Sequence, residues 1–282
     1  MELLAPAGNL EKLEAAYRYG ADAAYAGVES FSLRARADNF DLADPDAVAR
    51  VKDDRKLYCA LNVYFHEADL ARLEERMEAI AAFPFDAFIV SDPGIIPLLR
   101  RYVPRAELHL STQANCVNSE AAKLYRDIGF SRIVLGRELS LAEIAAIRAS
   151  VPDVELEAFV HGAMCLAYSG RCFLSAWMAD RSANRGSCAH SCRWSYRPQD
   201  RLYYIEEEKR PGEFYPVIEG ENFTSILSSR DIRMIDHLAE MRDAGVDVLK
   251  IEGRMKSAYY TAVVTRAYRK QLDHILTGSP GA

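Results

Sequence analysis

Several things are missing from this 282-residue sequence, and each absence narrows what the chain is. No apolar run approaches the roughly 20 residues of a membrane span, and Met1-Glu2-Leu3-Leu4 lacks the basic start of a secretory signal. The expected location is the cytosol, away from membranes, where the six cysteines serve as thiols or metal ligands rather than disulfides. There is no G-x-S-x-G, no G-x-x-x-x-G-K-S/T, and no G-x-G-x-x-G after an apolar strand pattern. The nearest approach to H-E-x-x-H, His66-Glu67-Ala68-Asp69-Leu70, has no second histidine. Nor is there a cationic excess. Against 35 Lys+Arg stand 41 Asp+Glu, a net charge of -6, which argues against holding nucleic acid by bulk charge but leaves room for a local basic patch.

What is present is a rhythm. Short apolar runs at Leu3–Ala5, Ala23–Ala26, Leu57–Tyr64, Ala87–Val90, Glu107–Leu110, Arg132–Leu135, Glu155–Val160 and Val248–Ile251 alternate with helical periodicity. The helical stretches run from Leu10 to Gly20, with Asn9 as N-cap, and over 45–52, 70–82, 95–102, 121–128, 141–149, 234–244 and 259–275. Eight strands alternating with helices predict a closed (β/α)8, TIM-like barrel rather than an open doubly wound sheet. The length suits one barrel domain over 1–282, and a chain of this size buries about three quarters of its unfolded surface without a metal to hold the core. The rhythm breaks once, over 162–230, an insertion too long for an ordinary βα loop. Its later part, Leu202–Ile205 and Phe214–Ile218, is aromatic and alternating and reads as a β-hairpin excursion after the seventh strand.

In such a barrel the residues that follow each strand build the active site. Here they include Pro6 to Gly8, Gly27, Asn62, Ser91-Asp92, Ser111-Thr112-Gln113, Gly136-Arg137-Glu138, His161-Gly162 and Glu252-Gly253-Arg254. The glycines also serve to turn corners, and Arg137, Glu138, Glu252 and Arg254 also suit a structural ion-pair ring. The insertion adds Cys165, Cys172, Cys188 and Cys192, spaced C-x6-C-x15-C-x3-C. Four thiolates in one segment suit an iron-sulfur cluster or a tetrahedral zinc, and only the second pair has the tight knuckle that zinc sites favour. Cys59, inside the third strand, reads as core; Cys116 lies near the rim. Arg171, Arg181, Arg185, Arg193 and Arg197 outnumber the acids around these cysteines, and Trp177, Trp194 and Tyr196 interleave with them. That composition suits phosphates and an unpaired base, or simply the packing of the insertion onto the barrel.

Five stretches together resemble one known family. Glu2 to Gly8 (ELLAPAG), Phe31 to Phe40 (FSLRARADNF), Ser111-Thr112-Gln113, the block HGAMCLAYSGRCFLS from His161 to Ser175, and the run from Ser228 to Tyr260 with KIEGRMKSAYY are similar to peptidase family U32. Despite the family's name as collagenase-like proteases, the resemblance implies oxygen-independent hydroxylation with a 4Fe-4S cluster. One branch acts on the wobble uridine of transfer RNA with prephenate as oxygen donor, and another in ubiquinone synthesis. Carried onto this chain, the resemblance makes Cys165, Cys172 and Cys188 ligands. Where relatives often carry a further cysteine this sequence has Arg233, and Cys192 is the expected substitute. Arg34, Arg36, Arg137 and Arg254 are expected to bind a small carboxylate donor or phosphate, with Glu138, His161 and Glu252 beside them and Arg193, Arg197 and Trp194 meeting RNA. Two other readings remain open at this point: a protease, and a cluster-bearing scaffold that needs a partner subunit. A small domain beyond Ala282 is a further expectation.

Overall fold

The computed structural model describes residues 1–28, 31–32, 39–40, 42–165, 167, 172, 174–183, 187–194, 204–206, 214–216, 218–220, 223–225 and 231–277. Arg34, Arg36 and Arg197 lie outside these residues, as does the side chain of Trp177.

The chain alternates as its periodicity predicts. Strands β1 (Glu2–Pro6), β2 (Ala23–Gly27), β3 (Lys56–Leu61), β4 (Ala87–Val90), β5 (Glu107–Leu110), β6 (Arg132–Val134) and β7 (Glu155–Gly162) are separated by α1 (Leu10–Arg18), α2 (Pro45–Lys52), α3 (Glu67–Ala82), α4 (Ile96–Tyr102), α5 (Ser119–Ile128) and α6 (Leu141–Ser150). After β7 come α7 (Leu174–Ala179), four short strands β8 (Tyr204–Glu206), β9 (Phe214–Pro216), β10 (Ile218–Gly220) and β11 (Phe223–Ser225), and then β12 (Ile232–Arg233). Helix α8 (Leu238–Asp243), strand β13 (Val248–Ile251) and helix α9 (Ala258–Thr277) follow. Helix starts obey local chemistry: Asn9 caps α1 by accepting from the Lys12 N–H, and Ser140 with Glu143 forms a capping box on α6.

All neighbours from β1 to β7 pair in parallel, and β13 closes the barrel by pairing with β7 on one side and β1 on the other, Leu249 standing opposite Ala158 and Leu3. Strand β12 adds to β7 in antiparallel fashion, with Arg233 opposite His161. In the insertion, β8 and β9 form the expected hairpin, and β10 pairs with β11 in a second one. Among the described residues no helix is long and apolar enough to cross a membrane.

Strand side chains alternate between two environments. Leu3, Phe88, Leu108, Ile133, Leu156 and Leu249 face the helices in the main apolar core. The opposite face of the same strands fills the barrel interior. There Leu4, Tyr25, Tyr58, Ile89 and Val248 form a small apolar cluster. Charges share that interior. Arg132, 1% exposed, reaches Glu2 at 2.8 Å and Glu157 at 3.4 Å, and Glu157, 0% exposed, accepts from Lys250 Nζ at 2.6 Å. Burial by itself would raise the Glu157 carboxyl, but Lys250 and Arg132 outweigh it and hold the group below its ordinary value.

Candidate active site at the barrel mouth

Above this charged layer the barrel opens into a cavity of about 130 Å³. Its floor is the uppermost interior layer of the strands: Tyr25, Ala60, Ile89, Val134, Phe159 and Lys250. Lys250 is held over the Tyr25 ring at 4.3 Å and bonded to Glu157 below, so it brings one end of the buried ion network to the cavity surface. Its motif context is visible in KIEGRMKS, yet its position is not. The signal available was a charged residue alternating with apolar ones in a strand, repeated at Arg132 and Glu157.

The walls come from the strand ends. Arg137, Glu252 and Arg254 all line the cavity. Arg254 is buried, donates to the Ser32 hydroxyl and lies above the Tyr25 ring at 5.9 Å. Its place depends on Gly27: an added Cβ there would stand 2.5 Å from Arg254 Nη1. Arg137 stacks on Phe159 with its guanidinium 3.9 Å from the ring centroid, which orients the planar fork. Two expected neighbours are elsewhere. His161 packs against Tyr260 and Tyr268, with Nδ1 3.3 Å from the Tyr268 hydroxyl, and does not line the cavity. Burial lowers its pKa, with Asp231 opposing and Arg233 reinforcing the shift. Glu138 is exposed, beside Gly136 and outside the cavity lining. Both sit at the expected strand ends, but a register shift between β7 and β13 sets His161 opposite the core-facing Ile251, and Glu138 lies in the turn beyond the end of β6.

The insertion forms the remaining wall. Cys165, Cys172, Cys188 and Cys192 are all half-buried and all line the same cavity. They are electrostatically coupled: burial raises the Cys192 thiol, and charge on Cys165, Cys188 and Cys172 raises it further, against the pull of Arg193. The backbone around them is tied together. The buried Ser175 hydroxyl donates to Arg181 O at 2.7 Å and accepts from the Ala189 N–H at 2.8 Å. His190, in the left-handed region at φ 58°, donates its N–H to Cys188 Sγ at 3.4 Å. Arg193 lines the cavity, donates to Met164 O at 3.1 Å and pairs with Asp231 at 2.9 Å, so it fastens this segment to the residue before β12. Trp194, 38% exposed, anchors its indole N–H on Ala189 O at 2.9 Å and leaves a face toward solvent.

The other candidate sulfurs are accounted for differently. Cys59 is fully buried in the core, and burial raises its thiol well above the ordinary value. Cys116 is buried next to the Gly136 turn, its thiol pushed up to about 11 by burial, and it does not line the cavity. Arg233 forms a surface pair with Asp236 at 2.5 Å. Among the described residues, no three His, Cys, Asp or Glu side chains form a group that could hold a single metal ion.

Comparison with known proteins places this geometry in context. The chain is 40% identical over 99% of its length to "tRNA hydroxylation protein P" of Escherichia coli (strain K12), of which it spans 69%. It is 33% identical over 99% of its length to a "Collagenase" of Porphyromonas gingivalis (strain ATCC BAA-308 / W83), spanning 67% of that protein. Among solved structures, that of a U32 peptidase superposes with a TM-score of 0.56 at 15% identity, covering 90% of this chain and 93% of the other, which shows a shared fold. Residues 8–281 match the family model described as peptidase family U32. With the family model matched over nearly the whole chain and a relative 40% identical over 99% of it, the chain belongs to peptidase family U32.

Proposed function

We propose that this protein hydroxylates the wobble uridine of transfer RNA without dioxygen, using a 4Fe-4S cluster and a carboxylated small molecule, prephenate, as oxygen donor. The observation that carries the reading is one cavity lined both by four cysteines and by Arg137, Arg193 and Arg254, in a chain 40% identical to a transfer RNA hydroxylation protein.

The donor set, four cysteines lining one cavity, supports a cluster. Thiolates around one tetrahedral zinc, each about 2.3 Å from it, must stand about 3.8 Å apart. No such group exists among the described residues, and the reading of a cluster is supported by the four thiols lining one cavity and acting on one another electrostatically. Cys165, Cys172, Cys188 and Cys192 would hold it, and the His190 N–H bonded to Cys188 sulfur is the kind of contact that tunes a cluster. When bound, the cluster supplies one-electron redox chemistry.

The remaining residues do the binding. Arg137 and Arg254 present planar forks to a carboxylate, and their burial strengthens that pairing. Trp194 offers an exposed stacking face, and Arg193, which lines the cavity, a cation for a phosphate. With the cavity open, the barrel is not plugged by its own side chains, which favours an enzyme over a scaffold that needs a partner. The named collagenase relative supports a second reading, proteolysis. Among the described residues, the Ser111 and Ser175 hydroxyls that line the cavity are bonded to backbone groups, which weighs against a serine nucleophile there.

Nucleosides from cells lacking the gene, analysed by mass spectrometry, test the assignment. Hydroxylated wobble uridine should disappear; an unchanged level in the absence of a redundant enzyme overturns it. Anaerobic purification with iron counted per chain tests the cluster. Serine at Cys165, Cys172, Cys188 or Cys192 should each lower iron, and full iron in Cys192→Ser would move the fourth ligand elsewhere. Purified protein should leave casein and gelatin intact. Cleavage that persists through repurification and vanishes in a cysteine variant would restore the protease reading.

A further inference from the structure

We propose that Gln113 reads the hydrogen-bonding edge of the substrate's pyrimidine base, and so determines which base enters the cavity. The turn after β5 holds Gln113 by its backbone. After β5, Ser111 Oγ accepts from the Gln113 N–H at 3.3 Å and Thr112 Oγ1 donates to Leu135 O at 3.1 Å. The Tyr64 hydroxyl donates to Gln113 O at 3.0 Å, and the Asn115 N–H closes the turn on Thr112 O at 3.0 Å. The backbone of Gln113 is thus pinned from both sides.

Its side chain is not. Gln113 is only 8% exposed and lines the cavity, and its amide oxygen is buried with no hydrogen-bond partner among the described residues. Buried polar atoms almost always find partners, so an unmet one on the wall of an open cavity marks a contact that a ligand completes. The chemistry of the group limits what that ligand presents. A carboxamide sets an acceptor beside a donor, the complement of an N–H next to a carbonyl in a ring, and amide side chains read bases in this way. Uracil N3–H would donate to Oε1 while a ring carbonyl accepts from Nε2. Arg137 and Arg254 offer donors only and suit the carboxylate instead. Apolar Ile89 and Val134 on the floor leave room for the flat face of a ring.

The identity of the base rests on the reaction proposed above, and the experiment separates the two. Iron-loaded wild-type protein and Gln113→Met are offered anticodon hairpins carrying uridine or N3-methyluridine at the wobble position. Binding is followed by fluorescence anisotropy and turnover by nucleoside mass spectrometry. Methylation should weaken wild-type binding at least 10-fold. Gln113→Met should bind both hairpins equally weakly, with unchanged iron content and melting temperature and a rise in KM that exceeds the fall in kcat. Wild-type protein that binds or hydroxylates both hairpins alike overturns the inference, and that arm needs no variant to fold. So does a Gln113→Met protein that still rejects the methylated base as strongly as wild type. Wild-type protein that rejects the methylated hairpin yet hydroxylates neither supports the base contact and overturns the reaction instead.

Discussion

Arg254 owes its position to a side chain that Gly27 does not have. A Cβ at Gly27 would come within 2.5 Å of Arg254 Nη1 and Asn39 Oδ1, and closer still to Ser32 Oγ, so Gly27→Ala has to move the guanidinium. Overpacking of this kind costs about 1–3 kcal/mol. The expected outcome is a moderate fall in melting temperature together with at least a 10-fold rise in KM for the carboxylate donor, read by thermal unfolding and steady-state kinetics. The same rise without any change in stability would equally place Arg254 at the donor; an unchanged KM would remove it. Lys250 and Glu157 make the opposite point, that a charge here is held by its partner. Lys250→Met leaves Glu157 fully buried against Arg132 alone and should cost about 3–5 kcal/mol. The double variant Lys250→Met/Glu157→Gln should recover part of that loss in urea denaturation, since no uncompensated carboxylate remains.

Helix and strand boundaries follow local chemistry where it is strong. Ser140→Ala removes the capping box of α6 and should destabilise the protein by about 1 kcal/mol, measurable as a shift in the urea midpoint with unchanged slope. Where apolar periodicity was the only guide, boundaries moved. Helix α3 starts at Glu67 rather than Leu70, because its polar first turn is secured by the Asp69 carboxylate accepting the His66 N–H at 3.0 Å. Strand β3 ends at Leu61 rather than Tyr64, which frees Asn62 to line the cavity. The expected helix over 234–244 splits into a 3-10 turn, Ile235–His237, and α8. The junction between β7 and the cysteine segment is the element most exposed to a small change. Gly162 has φ 102° and a Cβ there would meet Glu252 O at 2.8 Å. Gly162→Ala should therefore lower iron per chain more than it lowers the melting temperature; full iron with normal stability would show that the junction tolerates the strain.

The molecule as a whole carries its charge inside as well as outside, and this makes it sensitive to acid in two steps. Burial lowers the His109 pKa from its ordinary 6.5, against the pull of Glu107 and with Arg132 reinforcing the shift. Its contribution is complete above pH 6.5 and is lost as the pH falls below it, because the unfolded chain takes the proton first. Glu157, held below its ordinary 4.5, adds a second loss as the pH falls through that value toward its folded one. Urea midpoints should decline between pH 6.5 and 5 in wild type and decline less in His109→Gln, where His161, its pKa also lowered by burial, still contributes. A decline of equal size in the variant would assign it to other groups. The barrel, its strand order and the gathering of four cysteines at one mouth were legible in the sequence, because periods of 2 and 3.6 and the βα alternation are local properties that burial reads directly. Direction was not. That Arg137, Glu252 and Arg254 face the cavity while His161 and Glu138 do not, that Lys250 and Arg132 share one buried carboxylate, and that Gln113 keeps its amide unspent are consequences of how eight strands close. A side chain at a strand end points inward or away according to the register and twist of the barrel, and those are set only when residues far apart in the chain pair with one another.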